Sequence, residues 1–310
     1  MKILFLGTAD FACPSLQALL DSPHDVLTVV TQPDRPKGRG RKLSPSPVKS
    51  VAQARGITVF QPEKIREPSA VEFLRSLHPE IMVVVAYGQI LSKAVLSVPP
   101  RGAINVHGSL LPKFRGAAPI VRAILAGESR TGVTTMFLDE GMDTGPMLLR
   151  GETEIGPEDT AGTLHDRLAQ MGAELLMKTL GDLEKGTLSL RPQDAAQATY
   201  APKIAKEEEE IHWERPAREV FNLIRGFDPW PGAFTAWSGK RIKLFRAALS
   251  PRDSAEIPGT VLETSGEGLI VAASGGSIVI REVQMENRPR MGVLEFLRGY
   301  PFRAGVRLGS

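Results

Sequence analysis

Two short segments concentrate polar side chains in a pattern suited to moving protons beside a developing negative charge. The first, INVHGSLLPKFRGAAP (104–119), sets Asn105 and His107 two residues apart, the spacing that turns both side chains to one face of a strand. The second, GVTTMFLDEGMDTGP (132–146), has an apolar run followed by Asp139, Gly141, Asp143 and Gly145. If the two runs are neighbouring strands, an amide, an imidazole and a carboxylate converge near their ends. Attack of an amine on an acyl carbon builds an oxyanion, which the Asn105 amide and a donating His107 would hold. The attacking nitrogen must lose a proton and the departing nitrogen must gain one, a task for the Asp143 carboxylate. The amine is its own nucleophile, so neither serine nor cysteine is required, and a single histidine makes a poor metal ligand set. No metal is expected. Taken singly, Asn, His and Asp-x-Gly at strand ends are ordinary turn residues; the combination is what points to chemistry.

These residues need a scaffold that holds them at strand ends. Apolar runs at 2–6, 26–30, 81–85 and 103–106 alternate with amphipathic stretches at 14–20, 47–55 and 68–77. Continuous Val/Ile/Leu runs separated by helices predict a doubly wound, mostly parallel sheet covered on both faces, a Rossmann-like α/β architecture. In such sheets ligands sit beyond the carboxyl ends of the strands, where strand order reverses. Gly7 in FLGTADF invites a dinucleotide reading, but Ala9 and Ala12 stand where the later glycines of that fingerprint belong, so a tight strand-to-helix turn explains it. A long helix is expected over 160–181, from Thr160 to Gly181.

Beyond it the chain turns polar and irregular, then reads as a helix near 216–227. Short β-type runs follow near 233–237, 241–248, 259–264, 268–272 and 277–284, separated by Gly-rich turns. Five short strands suggest a small OB-like β-barrel. The expected division is 1–186 for the catalytic domain, 187–206 for a linker and 207–310 for the barrel. Trp230 and Trp237 are expected in its core.

The 310 residues carry a formal net charge of +3, too small to identify a nucleic-acid partner. Charge is instead local. Residues 31–50 hold Arg35, Lys37, Arg39, Arg41, Lys42 and Lys49 against Asp34 alone, with four prolines that forbid a regular helix. Such a loop beyond the second strand is able to grip a phosphate backbone. Residues 211–310 add 14 basic against 10 acidic residues. Cys13 is the lone cysteine, so no internal disulfide forms. No apolar stretch reaches membrane-spanning length. A soluble, cytoplasmic protein, monomeric and not membrane-bound, is expected.

The motif NVHGSLLPKFRGAAP (105–119), together with DEGMDTG (139–145), resembles the folate-dependent formyltransferases. FLGTADFA (5–12), TQPDRPKGRGRKLSPSPVK (31–49), VVVAYGQILS (83–92) and FDPWPGAFT (227–235) extend that resemblance along essentially the whole chain, to those members that act on methionyl-tRNA. The resemblance implies that a formyl group passes from 10-formyltetrahydrofolate to the α-amino group of initiator methionyl-tRNA, giving N-formylmethionyl-tRNA for translation initiation. It places the catalytic residues at Asn105, His107 and Asp143. It also implies folate contacts at Ser109, Leu110, Leu111 and Pro112, at Tyr87, and around Asp139 and Gly141. The basic loop, with Arg35, Lys37, Arg39, Arg41 and Lys42, would meet the tRNA acceptor stem, and the barrel would assist.

Three rivals stand beside this reading. A formyltransferase for a sugar amine or for glycinamide ribonucleotide, or a hydrolase releasing formate, would share the trio; a purine-type enzyme would not need residues 205–310, a sugar enzyme can carry a similar second domain, and the basic loop favours tRNA. A non-catalytic RNA-binding module would leave INVHGSLLP without a purpose. A dehydrogenase lacks its glycine fingerprint.

Overall fold

The structure is a computed structural model describing residues 1–37, 42–252, 254–300 and 302–309. The chain packs into two compact units, one comprising Met1–Gly116, Thr131–Thr153 and His165–Ala201, the other Ala117–Arg130, Glu154–Leu164 and Pro202–Ser310.

The first unit is built on seven strands. In chain order they are β1 (Lys2–Gly7), β2 (Asp25–Val30), β3 (Val59–Phe60), β4 (Ile81–Val85), β5 (Ala103–His107), β6 (Arg130–Phe137) and β7 (Met147–Glu154). Helices α1 (Cys13–Leu20), α2 (Pro47–Ala54), α3 (Pro68–Ser76) and α4 (Ala161–Lys185) connect or follow them. The spatial order is β7-β6-β5-β4-β1-β2-β3. β1 pairs in parallel with β2 and β4, β4 with β5 and β2 with β3. This is the doubly wound, mostly parallel sheet expected from the continuous apolar runs. β4 and β5 are buried at all five positions, which requires cover on both faces. Leu4, Leu6, Val71, Leu74, Met82 and Val84 share one core cluster, and Ile3 and Phe5, alternating with them, are equally buried.

Order reverses between β1 and β4, so the crevice there is lined by residues just after those strands. Gly7 occupies this point for want of space: a Cβ would lie 2.8 Å from the Phe5 ring, 3.0 Å from Ala12 Cβ and 3.1 Å from the Val85 carbonyl. Close packing, rather than the backbone freedom anticipated, is what selects glycine. α4 opens as expected, with the Thr160 hydroxyl accepting from Thr163 N at 3.2 Å. It runs past Gly181 to Lys185 and stops before Gly186, whose φ of +69° is the left-handed end that glycine permits.

Residues 187–206, anticipated as a linker from their polarity, are instead built into the first unit as far as Ala201. Arg191 and Met147 exchange backbone hydrogen bonds at 2.8 and 2.9 Å, and Tyr200–Ala201 pairs in parallel with Arg115–Gly116. The last passage of the chain from the first unit to the second falls at 201/202.

The second unit contains an antiparallel β domain, as expected. α5 (Ala217–Gly226) precedes β8 (Phe234–Trp237), β9 (Lys240–Leu249), β10 (Val261–Ser265), β11 (Gly268–Ala273) and β12 (Gly276–Met285), with α6 (Val293–Gly299) after them. The strand order is β8-β9-β12-β11-β10. Its core gathers Trp213, Phe221, Ile224, Phe227, Leu244, Ile280 and Phe296. Glu208, in the acidic run, is held by Arg122, whose Nη1 and Nη2 lie 2.5 and 2.9 Å from its two oxygens. Trp230 departs from expectation: it is 81% exposed, because the flanking Pro229 and Pro231 leave no strand or helix to turn it inward.

Candidate active site

β5 delivers Asn105 and His107 to one face, and both are nearly buried, at 9% and 6% exposure. β6 is its neighbour, as the two apolar runs suggested, but it runs antiparallel: Phe137 lies opposite Ile104, and Thr134 opposite His107. The carboxyl end of β6 therefore points away from His107. Asp143 reaches the imidazole only because residues 138–145 form a closed loop, with Phe137 N donating to Pro146 O at 3.0 Å.

That loop is tightly specified. Asp139 Oδ1 accepts from Gly141 N at 3.0 Å and from the Thr144 hydroxyl at 2.6 Å. Gly145 passes so close to the Phe137 carbonyl that a Cβ would sit 1.9 Å from its oxygen. Asp143 itself adopts φ +53°, a left-handed conformation that aspartate tolerates better than most residues. Its Oδ2 accepts from Gly116 N at 2.8 Å and lies 3.7 Å from His107 Nδ1. On the other side of the ring, His107 Nε2 is 2.9 Å from the Phe114 carbonyl. A carbonyl only accepts, so Nε2 carries a hydrogen and Nδ1 is the nitrogen turned toward the carboxylate. The 3.7 Å gap is longer than a hydrogen bond. The ring and the carboxylate thus face each other across a separation in which a proton can be handed over by a third group.

The loop between β5 and Gly116 is fixed from beneath. The Ser109 hydroxyl donates to Lys113 O at 2.6 Å, Ser109 O accepts from the Thr134 hydroxyl at 2.7 Å, and that hydroxyl accepts from Leu111 N at 3.1 Å. Ser109 and Leu111 are fully buried, whereas Leu110 and Pro112 are half-buried. Of the four anticipated folate contacts, the latter two have side-chain surface to offer. Asp139 and Gly141 are exposed. Tyr87 is 2% exposed, and its carbonyl, not its ring, faces polar groups: it accepts from the Thr8 hydroxyl at 2.8 Å and Gln32 Nε2 at 3.0 Å. Burial pushes the Tyr87 phenol up to about 12.

The basic segment forms an antiparallel pair, Arg35–Lys37 against Lys42–Ser44. Its base is anchored by Asp34, which takes Lys49 Nζ at 2.6 Å and Gln61 Nε2 at 2.8 Å. These two bonds hold the Asp34 carboxyl below the usual carboxylate range. Arg35 is exposed; Arg39 and Arg41 lie outside the described residues.

Sequence reading missed Gln193. Its Oε1 accepts from Arg115 Nε and Nη2 at 3.0 and 2.8 Å, and its Nε2 donates to the carbonyls of Asp143 and Gly145, both at 2.8 Å. No motif marks it, and the polar, irregular stretch around it reads as a linker. Among the described residues there is no group of three or more His, Cys, Asp and Glu able to hold a metal ion, and no helix long and apolar enough to cross a membrane.

An α/β sheet that brings a carboxylate within 3.7 Å of an imidazole, with an amide two residues before that imidazole on the same strand, followed by an antiparallel β domain, suits a group-transfer enzyme. The profile of the formyl transferase family matches residues 1–180, and that of the formyl transferase C-terminal domain matches 203–301. The methionyl-tRNA formyltransferase of Trichlorobacter lovleyi is 48% identical over 307 residues, 99% of this chain and 96% of that protein. Among solved structures, WlaRD, a sugar 3N-formyl transferase, superposes with TM-score 0.69 at 20% identity, covering 93% of this chain and 99% of that one. HypX from Aquifex aeolicus in complex with tetrahydrofolic acid gives 0.64 at 17% identity, over 96% of this chain and 47% of that one. The chain belongs to the formyl transferase family, in the group formed by the methionyl-tRNA formyltransferases. It is a one-carbon transferase.

Proposed function

We propose that this enzyme moves the formyl group of 10-formyltetrahydrofolate to the α-amino group of initiator methionyl-tRNA, with Asn105, His107 and Asp143 as the reacting centre. The observation that carries the reading is the Asp143 carboxylate facing His107 Nδ1 at 3.7 Å, with Asn105 on the same strand face two residues away. When bound, 10-formyltetrahydrofolate supplies an activated formyl carbon. The lining suits it: Leu110 and Pro112, in the loop that follows His107, are half-buried and leave apolar surface open. Asn105 donates to the formyl oxygen as it gains charge, and His107 adds a second donor when Nδ1 is protonated. Asp143 takes the proton that the attacking amine loses and returns it to the departing nitrogen. Tyr87 contributes through its backbone, and Asp139 and Gly141 shape the Asp143 loop at the folate side.

Arg35, Lys37, Arg39, Arg41 and Lys42 contact the tRNA backbone, with the α/β unit, whose last stretch runs to Ala201, as the catalytic domain and the antiparallel β domain assisting. The enzyme works in the cytoplasm as a monomer. Offering 10-formyltetrahydrofolate with charged initiator tRNA, uncharged tRNA and glycinamide ribonucleotide in parallel tests the substrate. Formylation of the charged tRNA alone is expected; equal use of the ribonucleotide would overturn the assignment.

A further inference from the structure

Asp143 stands in a conformation that it does not favour by itself. A non-glycine residue at φ +53° is strained and persists where its surroundings hold it. Gly116 N secures the side chain. Gln193 secures the backbone from outside the loop, its side chain bonding the carbonyls on either side of Thr144.

The orientation of the Gln193 amide is dictated by its neighbours. Arg115 can only donate, so Oε1 must face it; the two carbonyls can only accept, so Nε2 must face them. All four bonds fall between 2.8 and 3.0 Å. The Arg115 end is itself rigid, because the residue is 4% exposed and its backbone N donates to Thr199 O at 2.8 Å. Arg115 is also the residue before Gly116, whose N–H holds the Asp143 carboxylate. Gln193 thus ties the backbone of the Asp143 turn to the stretch of chain that receives the Asp143 side chain. The Gln193 backbone is placed in turn by the Arg191–Met147 bridge and by Asp194, which accepts from Ala196 N at 2.9 Å.

We propose that Gln193 is a positioning residue for the transfer reaction: by clamping the Asp143–Gly145 turn to Arg115, it sets the distance between the Asp143 carboxylate and His107. This rests on the reading of Asp143 as the proton-handling group.

Glutamine is suited to this because one planar group both accepts and donates. Gln193→Glu separates the two halves. The new carboxylate accepts from Arg115 at least as well, but turns an oxygen toward the two carbonyls, where a donor is needed. A residue that merely satisfies Arg115 would be untroubled by that change. We expect Gln193→Glu to keep Tm within about 3 °C of the parent, to keep both substrate KM values within about threefold, and to lower kcat by about 10- to 100-fold, the scale of misplacing a reacting group by about 1 Å. In an Asp143→Ala background the same substitution should change kcat by less than about twofold, because the group it positions is gone.

Wild-type kcat in a folded Gln193→Glu enzyme, or an undiminished loss in the Asp143→Ala background, would overturn the proposal. Gln193→Met, which removes both halves at similar size, is run alongside and should also lose kcat non-additively with Asp143→Ala. Failure of both Gln193 variants to fold would make the residue a folding element and equally overturn it. Near-normal turnover by Asp143→Ala alone would remove the reading of Asp143, and this assignment with it. An impaired Asp143→Ala beside a fully active Gln193→Glu would remove the Gln193 assignment only.

Discussion

Asp143 Oδ2 accepts the Gly116 amide hydrogen at 2.8 Å while standing 3.7 Å from His107 Nδ1. One carboxylate oxygen is therefore both the anchor of its own loop and the group that faces the imidazole. Anchoring and proton handling make different demands on it. The anchor needs only an acceptor, whereas the proton carrier needs a base.

Asp143→Asn separates those demands. An amide oxygen still accepts from Gly116 N, so the loop keeps its place and Tm should move by less than about 3 °C. The base is lost, and kcat for formylation should fall at least about 100-fold. Steady-state rates with charged tRNA, set beside a thermal melt, check both halves. A folded variant with turnover close to the parent would show that Asp143 serves as scaffold alone.

Asn105→Ala addresses the other side of the reaction. Removing a positioned donor to an oxyanion costs about 100- to 1,000-fold in kcat, with little change in KM when the bond strengthens mainly in the transition state. Asn105 is nearly buried at 9% exposure, so its stability should be followed by urea unfolding. A KM increase at unchanged kcat would make Asn105 a ground-state binding residue.

Much of this centre was legible in the sequence, for a physical reason. Buried strands must be apolar, so polar residues embedded in or just beyond them, such as Asn105 and His107, stand out against their surroundings. The register of β5 against β6 was not legible, because an apolar run carries no mark of strand direction; hence the closed loop that returns Asp143 to His107 came only with the structure. Gln193 was invisible for a different reason. Its function lies in two carbonyls and a guanidinium that the fold brings together from positions 78 and about 50 residues away, and a lone glutamine in a polar stretch reads as solvated chain. Trp230 was misjudged because aromatic residues are commonly buried, while two flanking prolines leave this one at the surface.

Two glycines give opposite outcomes from the same change. At Gly145 an added Cβ would lie 1.9 Å from the Phe137 carbonyl oxygen, backbone that cannot swing away. Gly145→Ala should destabilise the enzyme by about 1–3 kcal/mol and lower kcat by displacing Asp143. At Gly181, inside α4, nothing lies within 4 Å of the Cβ position. Gly181→Ala should stabilise by about 0.5–1 kcal/mol. Urea midpoints measured side by side test the pair, and a Gly145→Ala variant as stable as the parent would contradict the close approach.

Tyr87 carries a pH dependence whose sign is fixed by burial. Its phenol is pushed from 10.0 to about 12, so between those values the unfolded chain has released a proton that the folded one retains. The contribution to stability is present below pH 10 and lost as pH rises toward 12. The Tyr87 hydroxyl has no hydrogen-bond partner among the described residues. Tyr87→Phe should therefore leave stability at pH 7 unchanged or raise it by up to about 1 kcal/mol, reduce the loss above pH 10, and keep formylation intact. A large drop in folate affinity would show that the phenol itself reaches the ligand.

The basic segment makes a prediction in salt. Arg35 is exposed on the pair Arg35–Lys37/Lys42–Ser44, while Lys49, basic on paper, is occupied by Asp34 at 2.6 Å. A side chain that neutralises a phosphate releases about one counterion, so removing it should flatten the slope of log affinity against log salt by about one. Arg35→Ala and Arg39→Ala should each do so for tRNA while leaving the KM for 10-formyltetrahydrofolate unchanged. Lys49→Met should leave that salt slope nearly as it was, since its charge is already spent on Asp34. Equal salt slopes in all three variants and the parent would remove the basic segment from the tRNA interface. Loss of folate affinity in the arginine variants would instead make it a wall of the catalytic pocket.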